Sequence, residues 1–258
     1  MIKAIFLDID GTLVSFNTHK VPESAIEALH AVRRLGVKVI IATGRPRPFV
    51  DNLGRLEYDG LMTVNGASIR MADGSVIAHN PIPRADLDRL IAYYHAHPFP
   101  IAFATDDETF ITDTSPESVH ILQLLNLPCP PVRPIESCLE MDVMQIIAFF
   151  TPEQETYIMQ NVLHGCSAQR WHSYFADVIC AGNDKAHGID VVAQHYGIDL
   201  SEVMAFGDGG NDLTMLRHVG YGIAMGNARE AVKEAARYVT KSVDENGIAE
   251  ALKQFFPI

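Results

Sequence analysis

Phe6-Leu7-Asp8-Ile9-Asp10-Gly11-Thr12 is the stretch on which the reading of this chain turns. An apolar run from Ile2, broken only by Lys3, ends abruptly in two carboxylates one residue apart, followed by a glycine and a threonine. A run this short, rich in β-branched and aromatic residues, predicts a buried strand. Ligands of open α/β folds gather at the carboxyl ends of such strands. Residues two apart on a strand share a side, so Asp8 and Asp10 face one site if the strand geometry lasts that far. Two anions that close repel in a low-dielectric cleft unless a cation or a proton intervenes. A plain Asp-Gly turn accounts for Asp10-Gly11 and leaves Asp8 unexplained.

Outward from that strand the order is regular. Pro22 opens a helix in which Ile26, Leu29, Val32 and Leu35 recur at helical spacing, closed by Gly36. Val37–Ala42 is a second apolar strand, ending in Thr43-Gly44-Arg45, with a short helix from Pro46 to about Leu53. Leu61–Val64 is a third strand. The turn pairs Asn65-Gly66 and Asp73-Gly74 then frame Ser68–Met71 and Val76–His79 as a hairpin.

Between residues 81 and 134 nine prolines accumulate and the alternation stops. Helices are predicted over Ala85–His97, Pro116–Leu125 and Pro152–Leu163. Strands are predicted over Ile101–Ala104, Phe110–Thr112, Val143–Phe150, Ala168–Trp171 and Asp177–Cys180. This mixed α+β pattern reads as an inserted second domain of common size, residues 84–181, hinged near Pro83 and Gly182, with Trp171 in its core. Strict alternation returns at Lys185. Helix Ala186–Tyr196 and strand Val203–Phe206 lead to Gly207-Asp208-Gly209-Gly210-Asn211-Asp212. Helix Leu213–His218, strand Tyr221–Ala224, helix Ala228–Ala236, strand Tyr238–Thr240 and helix Glu245–Phe255 follow. The flanks, 1–83 and 182–258, form one α/β domain: a Rossmann-like three-layer core with a parallel sheet, carrying an inserted α+β domain.

Bulk properties narrow the function. Lys plus Arg number 20 against 32 Asp plus Glu, a net charge of −12. That disfavours nucleic-acid backbones and anionic membranes as partners. Hydrophobic residues make up 48% of the 258, enough for a substantial core. The four cysteines lie far apart in sequence with no C-x-x-C pair, so neither a zinc site nor a disulfide framework is indicated. No apolar run approaches a membrane span, and Asp8 interrupts what would be a signal peptide's apolar region. The expectation is a cytoplasmic protein of open oligomeric state.

Four signals share one topological position, the end of a buried strand or the start of the helix beside it. They are Asp8-x-Asp10, Thr43-Gly44, Lys185, and Asp208 with Asn211 and Asp212. Singly, each has an ordinary reading as a helix cap, a solvated lysine or a turn. In a parallel sheet they converge. The chemistry they can share is phosphoryl transfer. Asp8 is the candidate nucleophile, forming an aspartyl-phosphate. Magnesium, a hard cation, takes oxygen ligands: Asp8, the backbone carbonyl of Asp10, and Asp208, with Asp212 one step out orienting metal-bound water. Thr43, Gly44 and Lys185 hold phosphoryl oxygens, Asn211 touches phosphate or substrate, and Arg45 goes with them as a phosphate or substrate contact. Asp10 protonates the leaving oxygen and then activates water.

With these residues in place the chain resembles the haloacid dehalogenase superfamily, in the subclass of Cof-type sugar phosphatases whose α+β cap is inserted after the hairpin. The matching motifs are Asp8-Ile9-Asp10-Gly11-Thr12, Thr43-Gly44-Arg45, Val64-Asn65-Gly66-Ala67, Lys185, and Gly207-Asp208-x-x-Asn211-Asp212 followed by Met215. The resemblance spans both flanks by motif and the middle by size and placement. It implies a magnesium-dependent phosphatase of small phosphorylated metabolites, sugar phosphates above all, and Asp10 implies hydrolysis or a mutase. Two positions depart from the family pattern: Ala186, where glycine is usual, which could shift the helix start, and Gly209-Gly210, where bulkier residues are usual, which could loosen the loop. The competing readings are a phosphosugar mutase, a phospho-accepting signalling module and a binding protein without turnover. Substrate identity lies beyond the sequence.

Overall fold

The computed structural model describes residues 1–124 and 129–258. Their Cα packing divides the chain into two compact units. The first comprises Met1–Arg45, Val50–His79 and Asp184–Ile258; the second comprises Pro46–Phe49 and Asn80–Asn183. The second unit thus includes a short piece, 46–49, that sequence order alone places within the flank.

The first unit opens with β1 (Ala4–Leu7), α1 (Glu23–Arg34), β2 (Lys38–Ala42), β3 (Gly60–Thr63), β4 (Ser68–Met71) and β5 (Val76–His79). The second unit carries α2 (Arg84–Ala96), β6 (Ile101–Ala104), β7 (Thr109–Ile111), α3 (Pro116–Leu124), β8 (Gln145–Ala148), α4 (Pro152–Asn161), β9 (Cys166–His172) and β10 (Phe175–Cys180). The chain then returns to the first unit with α5 (Lys185–Tyr196), β11 (Val203–Gly207), α6 (Leu213–His218), β12 (Tyr221–Ala224), α7 (Glu230–Ala235), β13 (Tyr238–Val239) and α8 (Gly247–Phe255). Leu125, the last residue of the expected third helix, lies outside the described residues, as does the Trp171 side chain.

The first unit is built on an eight-stranded sheet in the order β13-β12-β11-β1-β2-β3-β4-β5. Pairing is parallel from β13 to β3, and β4 and β5 complete the edge as an antiparallel hairpin. The sheet is therefore mixed, with the hairpin extending the parallel core. The apolar runs explain its burial. Ile5, Leu7, Val39, Ile41, Met204 and Phe206 point to one face, where they meet α1 through Ile26 and Leu29 and α8 through Ile248 and Leu252. Their neighbours Ala4, Phe6, Ile40, Ala42, Val203 and Ala205 point to the other, against Ile189 and Val192 of α5 and Met215 of α6. Alternate residues buried on opposite faces require strands apolar throughout, which is the pattern the sequence shows.

The second unit folds on a five-stranded sheet, β7-β6-β8-β10-β9, paired antiparallel throughout. Its core includes the stacked pair Phe103 and Phe110 and the buried Ile146, Ile158 and Val178. Asp86 on α2 is buried and accepts hydrogen bonds from Gly165 N (2.7 Å) and Cys166 Sγ (3.2 Å), with Arg89 as its ion-pair partner. Cys166 and Cys180, well separated in sequence, are register partners across β9 and β10 as free thiols. The helix expected from Pro46 to Leu53 is a single 3-10 turn, Arg47–Phe49. Among the described residues no helix is long and apolar enough to cross a membrane.

Candidate active site

Each of the four sequence signals lies in the first unit, at the carboxyl end of a core strand or the start of α5. Asp8 follows β1 directly, and its N–H still donates to Phe206 O of β11 (3.1 Å). Asp208 follows β11, Thr43 follows β2, and Lys185 is the first residue of α5. Asp8, Asp208 and Asp212 each offer a carboxylate oxygen, all within 4.8 Å of one another. Lys185 is fully buried, and its Nζ donates to Asp8 Oδ1 and to Asp212 Oδ1, both at 2.6 Å.

The acidic loop is organised from within. Asp212 Oδ2 accepts from Asp208 N (2.9 Å) and Gly209 N (2.8 Å) while its other oxygen holds Lys185. Of the two glycines in this loop, Gly209 is tied to the carboxylate through its N–H. Asp208 Oδ1 accepts from Thr12 Oγ1 (2.9 Å). Its Oδ2 faces Asn227 Nδ2 at 3.3 Å, and the same amide nitrogen donates to Gly11 O at 2.8 Å. Gly11 cannot carry a side chain: its φ is +80°, and a Cβ there would lie 2.3 Å from Asp208 Oδ2.

Asp10 stands apart from this cluster. Its carboxylate is gripped by Arg45, with Nε donating to Oδ2 (2.8 Å) and Nη2 to Oδ1 (2.5 Å). Both carboxylate oxygens of Asp10 are taken by this one guanidinium. A fork-to-fork pair of this kind fixes the orientation of the carboxylate as well as its position. Arg45 Nη1 also donates to Asn52 Oδ1 at 3.2 Å.

The Thr43 loop is locked to the end of β3. Thr43 is buried, its Oγ1 accepts from Arg45 N (3.0 Å), and its carbonyl accepts from Asn65 N (3.0 Å). Val64 and Asn65 both hold positive φ, +50° and +51°. A β-branched residue in that region is strained, and such strain concentrates at functional sites. The strained turn lets Asn65 Oδ1 accept from Asn211 Nδ2 (3.0 Å), with Gly44 against both amides. Gly66 in turn packs on the start of α5: a Cβ on it would meet Asp184 O at 2.8 Å. With Ala186 in place of the usual glycine, α5 still begins at Lys185, and the Asp184 side chain caps it by accepting from His187 N (2.8 Å).

Burial and mutual repulsion set the electrostatics. The Asp8 carboxyl is pushed well above its usual range by burial and by the Asp212 charge, with Lys185 opposing. Asp208 is pushed up to about 6, first by burial, with the Thr12 hydrogen bond opposing and Asp212 adding to the rise. Burial alone would lower Lys185, but the Asp212 and Asp8 carboxylates outweigh it and hold the ammonium charged. Three carboxylates face one ammonium, a formal deficit of two positive charges when all are ionised, and the candidate ligands are all carboxylate oxygens. That donor set fits a hard divalent cation.

The sequence reading assigned no part to Asn227 or to Thr12 beyond its motif. Asn227 stands in Gly226-Asn227, just past the end of β12, where a polar side chain beyond a core strand was the available signal.

Residues 5–252 match the family model of haloacid dehalogenase-like hydrolases. The chain is similar to the putative phosphatase YkrA of Bacillus subtilis, 33% identical, covering 98% of this chain and 97% of that one. Its fold is similar to the solved structure of BT1666 from Bacteroides thetaiotaomicron, a phosphatase of the same superfamily (TM-score 0.91, 42% identity, 99% of this chain and 95% of that one). It is also similar to BT4131, a sugar phosphatase of subclass IIB (TM-score 0.85, 40% identity, 98% of each chain). The chain therefore belongs to the haloacid dehalogenase-like hydrolases, among their Cof-type phosphatases, and is a phosphoric monoester hydrolase.

Proposed function

We propose that this phosphatase hydrolyses small phosphorylated metabolites, sugar phosphates above all, with magnesium bound and through an aspartyl-phosphate on Asp8. The observation that carries the reading is the gathering of Asp8, Asp208 and Asp212 around a single buried ammonium, with charge left over for a divalent cation. Asp8 and Asp208 would hold the ion, together with the Asp10 backbone carbonyl; Asp212, with one oxygen on the Lys185 ammonium and the other on two loop amides, would sit one step out. Bound there, magnesium would neutralise carboxylate and phosphoryl charge so that an anion can approach an anion.

The chain's own residues supply the remainder. Asp8 attacks phosphorus, a bond forms from its carboxylate oxygen, and the bond to the leaving oxygen breaks. The Thr43 hydroxyl accepts from Arg45 N and so has its proton left to donate to a phosphoryl oxygen; the Gly44 amide, Lys185 and Asn211 are further phosphate or substrate contacts. Asp10 gives its proton to the leaving alcohol, then takes one from the water that attacks the aspartyl-phosphate, releasing phosphate and restoring Asp8. In the Arg45 pairing both Asp10 oxygens accept, so the acid step requires one to be freed. A substrate that draws the guanidinium to its own anionic oxygens would free it.

The sugar-phosphate class is inferred from BT4131. The insert, residues 84–181, is assigned the role of a cap that selects among substrates. Exchanging it for a relative's insert should move substrate preference and leave metal dependence in place. A cytoplasmic location fits the four free thiols. The deciding experiment is phosphate release from a panel of phosphorylated metabolites, with EDTA abolishing turnover and magnesium restoring it. Full activity in EDTA would refute the metal assignment, and release from no sugar phosphate would refute the substrate class.

A further inference from the structure

We propose that Phe16 is a specificity-determining residue, an aromatic platform on which the sugar ring of the substrate rests beside the phosphoryl site. The proposal rests on the sugar-phosphate reading above. Phe16 is a phenylalanine left 63% exposed in the loop after the Asp8-x-Asp10 strand. Its ring carbon Cε2 and Asp208 Oδ2 lie 2.8 and 2.3 Å from one point, the position a Cβ would take on Gly11. The ring edge is therefore no more than about 5 Å from a carboxylate of the metal cluster. An isolated apolar side chain on a surface needs no explanation; a phenyl ring at the rim of a site that handles charged phosphate does.

The loop that presents the ring is braced on both sides of it. Ser15 Oγ donates to Asp244 Oδ1 (2.5 Å), and Asn17 Nδ2 donates to Asp244 Oδ2 (2.7 Å). Ser15 Oγ also accepts from Asn17 N (3.0 Å) and Thr18 N (3.3 Å). These bonds fix the backbone that presents the ring, which lowers the cost of ordering the loop when a ligand covers it. A sugar phosphate suits this placement. Its phosphate is drawn to the charged cluster, and the C–H face of its ring is apolar and close in size to a phenyl ring. Aromatic surface recognises such a face by burial and by the negative potential above the ring.

The test is substrate discrimination. Phe16→Ala, Phe16→Leu and Phe16→Tyr are assayed beside the wild type with a hexose 6-phosphate and with acetyl phosphate, which has no ring to stack. The expected result is a fall of roughly three- to tenfold in the ratio of kcat/KM for hexose phosphate over acetyl phosphate in Phe16→Ala, carried by KM. Phe16→Tyr should keep the wild-type ratio and Phe16→Leu should fall between. Should the alanine variant fail to fold, the leucine variant carries the same comparison. An unchanged ratio, or equal losses on both substrates, overturns the role of Phe16 while leaving the sugar-phosphate reading intact. A wild type that hydrolyses acetyl phosphate and no sugar phosphate overturns that reading, and the platform with it.

Discussion

Replacing Lys185 with methionine should unfold the catalytic unit more readily than any surface change could. Lys185 is fully buried, and its Nζ is 2.6 Å from both Asp8 and Asp212, which are themselves 6% and 0% exposed. Methionine keeps most of the length and apolar stem and deletes the charge. Two buried carboxylates are then left facing each other, with Asp208 beside them. Removing one partner of a buried pair typically costs about 3–5 kcal/mol, because the stranded charge has neither water nor counterion. For a unit of this size that corresponds to roughly 6–20 °C in Tm. The assay is thermal unfolding in EDTA followed by far-UV circular dichroism, since the single tryptophan, Trp171, lies in the other unit. A second substitution isolates the cause. Asp212→Asn retains an oxygen for Asp208 N and Gly209 N but removes one carboxylate charge. It should destabilise the protein when Lys185 is present and cost clearly less, or stabilise, when Lys185 is methionine, with a coupling of about 1–3 kcal/mol. If Lys185→Met lies within about 1 kcal/mol of the wild type, or Asp212→Asn costs the same in both backgrounds, the charge-balance account of this site is wrong.

Asp10→Asn keeps the shape of the side chain and removes the proton transfer proposed for it, so turnover of sugar phosphates should fall about a hundred- to ten-thousand-fold. With p-nitrophenyl phosphate, whose leaving group needs no proton, the same variant should give a burst of nitrophenol and phosphate trapped on Asp8, detected by mass spectrometry of the quenched protein. In the second unit, Asp86→Ala strands the donors Gly165 N and Arg89, and should cost about 1–3 kcal/mol in a transition followed by Trp171 fluorescence. Asp59 is raised by burial, but the Arg33 and Val39 hydrogen bonds and the Arg33 charge prevail and hold its carboxyl below the usual range. A group depressed by folding stabilises above its unfolded pKa, so the stability gap between wild type and Asp59→Asn should be full near neutral pH. That gap should close as the pH falls below about 4, and denaturant titrations at several pH values would show it.

The legible and the illegible parts of this molecule differ in kind. The central strands β1, β2 and β11 are buried on both faces, so each is written as a nearly unbroken apolar run, and the residue where the run stops marks the carboxyl edge. That is why Asp8, Thr43 and Asp208 could be placed from sequence, each being the first residue after β1, β2 or β11. In the antiparallel insert the same reasoning blurs. β9 runs Cys166–His172 and carries Ser167, Gln169 and Arg170, so its polar alternation hides its true ends and the expectation of Ala168–Trp171 came out short. The hairpin that sets Cys166 opposite Cys180 was hidden for the same reason.

Within the site, membership was legible and partnership was not. Arg45 and Asp10 both stand at strand ends, 35 residues apart, and nothing in their spacing says that the guanidinium faces the carboxylate rather than open solvent or phosphate. Asn227 was passed over because a lone asparagine after a strand has many uses. Only its placement between Gly11 O and Asp208 Oδ2 gives it one. Lys185 shows the limit most clearly. Taken singly, a lysine at a helix start reads as solvated, and with the other motifs it reads as a phosphoryl contact; here it is sealed between two aspartates, with α5 packed against Gly66 and Met62. The close approach at Gly188, where a Cβ would come within 2.6 Å of Met62 Sδ, draws the helix start into the sheet edge. A side chain at position 188 would have to displace the Met62 thioether and would then meet Gly66 Cα at 3.2 Å, loading the start of α5 without touching Asp8, Asp212 or Lys185.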